Sequence, residues 1–125
     1  MNINQISGQT VDSALKVHTI LGPGLLENAY EVCLAHELRR RGLSVMTQVP
    51  LPVHFEGVKV ELGYRIDMIV QDLVLVELKA ITKLLPVHDA QLLSYLKLSG
   101  RRVGLLINFH VLHLRDGIRR MVHRL

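Results

Sequence analysis

The sequence predicts a mixed α/β domain in which helices cover a central sheet, in the order ααβββαβ with one more strand left open at the end. Three observations predict it. Two helical periodicities separated by Gly22-Pro23-Gly24 open the chain. Valine-rich extended segments punctuated by Pro50, Pro52 and Gly57 follow. A helix opened by Pro86 and closed by Gly100 then separates two apolar runs that read as buried strands, the arrangement of a sheet with helical crossovers. At 125 residues the chain suits one domain, residues 1–125, and is too short for two of ordinary size.

From Ser7 to Leu21, the positions Val11, Leu15 and Ile20, with Ala14 and Val17 between them, follow helical spacing. Gly22-Pro23-Gly24 interrupts, since glycine closes helices and proline is tolerated only in a first turn. A second helix is expected from about Leu25 to Arg41, its apolar side supplied by Leu26, Ala29, Tyr30, Val32, Cys33, Leu34 and Leu38. Arg39-Arg40-Arg41 suits the negative end of its dipole, and Gly42 stops it. Val45 to Phe55 then reads as an edge strand, because Pro50 and Pro52 cannot donate to a ladder. Glu56-Gly57 turns into a strand from about Val58 to Val70. Gln71-Asp72 turns again, and Leu73 to Leu78 is apolar enough to be buried on both faces. The third helix runs from Pro86 to about Ser99. Val103 to Asn108 is another buried strand, and Val111 to Leu114 is a candidate for one more. The basic tail after Asp116-Gly117 reads as a last helical turn or two.

Composition narrows the function classes. The hydrophobic fraction is 49%, enough for a core, and the net charge is only +4, which permits a nucleic-acid partner without requiring one. One cysteine, Cys33, excludes an internal disulfide and a multi-cysteine zinc site; it reads as a packed thiol in a reducing compartment. No basic-then-apolar start resembles a signal peptide, and no apolar run approaches the ~20 residues that span a bilayer. A soluble cytoplasmic domain with no membrane partner is the expectation. Aromatic residues are 4% with no tryptophan, which argues against base stacking as the main binding device. The seven histidines are dispersed, and only His88 falls near the candidate chemistry.

That chemistry lies in Gly63-to-Val70 and Val74-to-Lys79, two apolar strands interrupted by Asp67, Glu77 and Lys79. Charges at such positions need a partner or an ion. Glu77 and Lys79 share a face by alternation. A two-residue loop at Gln71-Asp72 would put Asp67 on the opposite face; a three-residue loop including Leu73 would pair it with Glu77 directly. Adjacent carboxylates repel unless a proton or cation lies between them, and oxygen ligands of this kind suit Mg²⁺ or Mn²⁺. The plainer alternative is a strand-end ion pair between Lys79 and one of the carboxylates. On the third helix Gln91 and Tyr95 stand at i and i+4, either beside this site or simply in solvent. Glu27, Tyr30 and Glu31 share a face of the second helix, and the dipole alone would account for Glu27 in its first turn.

Gly24-Leu25-Leu26-Glu27-Asn28-Ala29-Tyr30 resembles the signature of the GxxExxY family. The likeness continues through Gln48-Val49-Pro50, Gly63 to Asp67, Val76-Glu77-Leu78-Lys79, Pro86 to Gln91, and Gly104 to Phe109, covering nearly the whole chain in order. That family looks like a minimal branch of the PD-(D/E)XK nuclease superfamily. The resemblance implies a restriction-endonuclease-like core and a metal-dependent nuclease that hydrolyses DNA. It implies Asp67, Glu77 and the carbonyl of Leu78 as ligands of Mg²⁺ (or Mn²⁺). Lys79 would then be the catalytic lysine, Glu27 the acid of the first core helix, and Gln91 with Tyr95 a Gln-x-x-x-Tyr motif. Ile66 stands where the superfamily's name has proline, and no catalytic position is visibly lost.

The alternative is a catalytically silent nucleic-acid- or protein-binding module on the same fold, one that would need a recruiting protein partner or its own loops for specificity. Arg101-Arg102 and Arg119-Arg120, with Arg39-Arg40-Arg41, are candidate phosphate contacts, although arginines in such places are usually just solvated. Exposed edges at Val49 to Val53 and Val103 to Ile107 would allow a homodimer, which the sequence leaves open.

Overall fold

The computed structural model describes residues 1–124. Helix α1 spans Ile3–Leu21 and starts earlier than the apolar spacing indicates, because Asn2 and Gln5 cap it reciprocally. Its buried stripe is Ile6, Thr10, Ala14 and Val17, with Ser7, Ser13 and His18 alongside. Leu15 and Ile20, expected on the apolar face, stay exposed. Small and hydroxyl side chains carry the seam instead, and Thr10 satisfies its own hydroxyl by donating to the Ile6 carbonyl. Helix α2, Glu27–Arg40, packs beside α1. Glu37 joins the two by accepting from Lys16, Arg40 and Arg41, and Arg41 reaches on to Asp12. Arg39 donates to the Val45 carbonyl, so this arginine run is tied into the fold.

The extended region divides more finely than the sequence suggests. The single strand expected over Val45 to Phe55 is two, β1 (Val45–Pro50) and β2 (Val53–Phe55). Pro50 and Pro52 supply no N–H donors and break the run between them. The strand expected over Val58 to Val70 is likewise β3 (Val58–Val60) and β4 (Arg65–Val70). β2 and β3 form a separate hairpin closed by Glu56 and Gly57, both at positive φ as a two-residue hairpin turn demands. Then come β5 (Val74–Lys79), helix α3 (Pro86–Ser99) and β6 (Val103–Asn108). Val111 to Leu114 is not a strand; a 3-10 turn, Leu114–Gly117, occupies the bend. The basic tail is not helical either but strand β7, Ile118–Val122. Its alternation explains the correction: Ile118 packs on one face of the sheet and Met121 on the other, while the arginines point outward.

The main sheet runs β1-β4-β5-β6-β7, antiparallel except for β5 and β6. β1 is the edge strand its prolines announce. One face carries Met68, Val70, Val76, Leu78, Leu105 and Ile107 against α1 and α2. The other carries Ile69, Leu75 and Leu106 against Leu92, Tyr95 and Leu96 of α3. Gly104 permits that second layer to close, since a Cβ there would lie 2.9 Å from Leu92 Cδ1. The mixed sheet with helices on both faces is the expected fold class.

Candidate active site

The turn after β4 decides the site. Gln71 and Asp72 take positive φ, and Leu73 completes a three-residue loop, so the β4–β5 register runs Met68 with Val76 and Val70 with Val74. Extended by one step, it sets Asp67 beside Glu77. The ladder stops there, and the side chains replace it. The Asp67 N–H donates to Glu77 Oε1 at 3.1 Å, and the Leu78 N–H donates to Asp67 Oδ2 at 2.8 Å. Each carboxylate thus holds the other residue's strand, and each keeps one oxygen free of these bonds. Because N–H and C=O of one strand residue point to the same side, the Leu78 carbonyl faces the same gap.

Glu77 is 5% exposed. Burial, followed by the charge of Asp67, pushes its carboxyl up to about 8. Lys79, the last residue of β5, lies near enough to draw both Glu77 and Glu27 downward, yet among the described residues it makes no ion pair within 4.0 Å. The strand-end ion pair is therefore not what the fold builds. Its backbone is clamped instead: the Lys79 carbonyl accepts from the Phe109 N–H at 2.9 Å. Opposite it Asn108, 1% exposed, accepts from the Ile81 and His110 N–H groups and donates to the Ile81 carbonyl. Sequence reading passes over Asn108; its one signal is a polar residue closing an otherwise apolar strand.

Helix α2 brings Glu27 and Glu31 to the rim. Both carboxyls are raised, first by burial, with Asp67 adding to each. Gln48 donates to Glu31 Oε1 at 2.6 Å and its Nε2 lies 3.5 Å from Asp67 Oδ1. Tyr30 does not join them. It is fully buried, stacked on Phe109 at 4.4 Å, and its hydroxyl donates to the Gly22 carbonyl at 2.6 Å while accepting the Leu25 N–H. It thereby pins the loop from which Glu27 starts. On the other side, Gln91 and Tyr95 are not in open solvent: they line a groove of about 650 Å³ with Lys79, Tyr64, His88 and Ser94. Gln91 Nε2 donates to Tyr95 Oη at 3.3 Å, and burial with the charge of Glu77 raises the Tyr95 phenol. His88 accepts the Leu85 N–H and caps α3.

None of the four arginines bonds the carboxylate pair, although Arg119 stands in the same row of the sheet as Glu77, across Leu106. Arg101 pairs with Asp72 at 2.6 Å, Arg119 with Asp89, and Arg120 with the Asn4 side chain. Arg102 is exposed and shares a depression with Lys97, His123 and Arg124. Since β5 and β6 are parallel, this depression sits at the end of the sheet opposite Lys79.

The donors fit a divalent cation that prefers oxygen: two carboxylates and a carbonyl meet in one gap, and burial and Asp67 disfavour a charged Glu77 unless a cation offsets it. Among the described residues no three His, Cys, Asp or Glu side chains form a metal cage. No helix among the described residues is long and apolar enough to cross a membrane. No curated protein and no solved structure matches the chain. A family model described as the PD-(D/E)XK nuclease superfamily matches residues 4–121, nearly all of it. With Asp67, Glu77 and Lys79 gathered where β4 and β5 part, the chain belongs to the PD-(D/E)XK nuclease superfamily.

Proposed function

We propose that this chain, as a member of the GxxExxY branch, is a metal-dependent nuclease that hydrolyses DNA phosphodiester bonds. The observation that carries the reading is the reciprocal bond pair at Asp67 and Glu77, which fixes two carboxylates where the ladder opens and leaves an oxygen of each available. Asp67, Glu77 and the Leu78 carbonyl would hold Mg²⁺ or Mn²⁺. When bound, such an ion offsets phosphate charge and lowers the pKa of a water. Lys79 would position the attacking water and stabilise the negative charge developing on the phosphate. Gln91 orients a phosphate oxygen or Lys79, and Tyr95 fixes Gln91 through their mutual hydrogen bond. Glu27, its carboxyl raised by burial and by the charge of Asp67, would touch the metal through water or hold Lys79. Arg102 and its neighbours are the proposed phosphate contacts away from the centre, with Arg101, Arg119 and Arg120 free to exchange their present partners for DNA.

The test is cleavage of labelled single-stranded, duplex and branched DNA with Mg²⁺, with Mn²⁺ and with chelator. Metal-dependent cleavage that Lys79→Ala abolishes, while the variant keeps its circular dichroism spectrum, is the expected result. Salt-sensitive DNA binding indifferent to metal, with no cleavage, would identify a binding module instead.

A further inference from the structure

Gln48 has no role in the site as assigned above, yet its backbone is the most unusual in the sheet. It lies inside β1 with φ +52, a left-handed conformation that a β-strand does not use and that a residue with a side chain adopts at a cost. The β1–β4 register continues on either side of it, pairing Thr47 with Met68 and Val49 with Ile66, while the faces swap there: Val45 and Met68 pack in one layer, Val49 and Ile66 in the other. The one pair it leaves out, Gln48 with Asp67, is the pair at the site. Among the described residues Glu56, Gln71 and Asp72 also combine a side chain with positive φ within the fold, but they lie in turns, where such geometry closes a loop. At Gln48 there is no loop to close.

What the distortion achieves is visible in the side chain. Its amide Nε2 sits between two carboxylates from different elements, 2.6 Å from Glu31 Oε1 on α2 and 3.5 Å from Asp67 Oδ1 on β4. Asp67 Oδ2 is already fixed by the Leu78 N–H, so Oδ1 is the oxygen left to turn. A lysine or arginine here would neutralise the carboxylates; an amide holds them without cancelling their charge.

We propose that Gln48 is a positioning residue: its strained backbone places a neutral amide donor that holds Glu31 against the site and aims Asp67 Oδ1 at the position a divalent cation takes. This rests on the nuclease reading, in which Asp67 is a ligand. Outer partners of metal ligands are worth roughly 10–100-fold in metal affinity or activity.

Gln48→Gly separates the proposal from a merely structural role, because glycine adopts this backbone freely and loses only the amide. Mn²⁺ binding by calorimetry, melting temperature and DNA cleavage are measured on the wild type, on Gln48→Gly, and on Glu56→Gly as a control for relieved strain. The expected result is a melting temperature equal to or above the wild type in both variants. Only Gln48→Gly should bind Mn²⁺ at least about 10-fold more weakly and cleave correspondingly slower. Gln48→Asn, which tolerates the left-handed region and keeps an amide, serves as the second variant if glycine fails to fold. Unchanged Mn²⁺ affinity in Gln48→Gly, or a loss matched by a fall in melting temperature, would overturn the positioning role while leaving the nuclease reading intact. A wild type that neither binds Mn²⁺ nor cleaves would overturn both.

Discussion

Glu77 concentrates the physics of this site in one side chain. Its carboxyl is raised to about 8 from the ordinary 4.5, by burial first and Asp67 second. A raised carboxyl means that the folded chain binds this proton more tightly than the unfolded chain does. Its contribution to stability is therefore full below about 4.5 and is lost as the pH climbs to about 8. The metal-free protein should melt at progressively lower temperature across that window, and Glu77→Gln should flatten the dependence and melt higher at its alkaline end; a thermal series at several pH values checks both. Cation binding must displace the same proton, so Mn²⁺ affinity should rise with pH over the same range, as calorimetry in buffers of different ionisation heat would show. Chemistry of this kind was legible in the sequence as a charge in an apolar strand. Gln48 and Asn108 were not legible, because their importance lies in a backbone angle and in a clamp on Ile81, and neither leaves a pattern in residue type.

Elements matter here through the loops and small residues that set their approach. Tyr30 holds the start of α2 by its hydroxyl, so Tyr30→Phe keeps the stack on Phe109 but releases the Gly22 carbonyl and the Leu25 N–H. A loss of about 1–2 kcal/mol in urea unfolding is expected, with weaker activity as Glu27 loses its anchor. Gly104 lets α3 lie on the sheet. Gly104→Ala would drive a methyl into Leu92 and Leu96 and should cost about 1–3 kcal/mol, shifting Gln91 and Tyr95 away from Lys79. The same scale shows where pattern reading reaches its end. Loop length at Gln71-Asp72-Leu73 was open in the sequence because either register leaves β4 and β5 apolar; the left-handed angles of Gln71 and Asp72 choose the one that joins Asp67 to Glu77. β7 reads as a basic tail because Ile118 and Met121 serve opposite faces and two arginines stand between them. The proline-broken β1 and β2 read as one strand because valine spacing runs on across Leu51.

Across the whole molecule, the sheet separates two kinds of charge. Acids and Lys79 gather where β4 and β5 part; Lys97, Arg102, His123 and Arg124 gather at the far end. On the proposed nuclease reading, a DNA strand long enough to touch both would be held at one end and cut at the other. Replacing Arg102 by alanine should weaken DNA binding uniformly across sequences and lower the salt slope by about one, leaving the turnover of bound substrate unchanged. Fluorescence anisotropy across a salt series, with single-turnover cleavage alongside, measures the two effects separately. The ordering of motifs along the chain was readable in the sequence because each motif sits at a strand or helix end that local residues define. Everything then depends on whether Asp67 and Glu77 bind a metal together. Calorimetric titration of Mn²⁺ and Mg²⁺ into the wild type and into Asp67→Ala, with and without a short DNA, tests this most directly. Binding in the wild type that vanishes in the variant is the predicted result; no binding in the wild type even with DNA present, or equal binding in the two proteins, would contradict it.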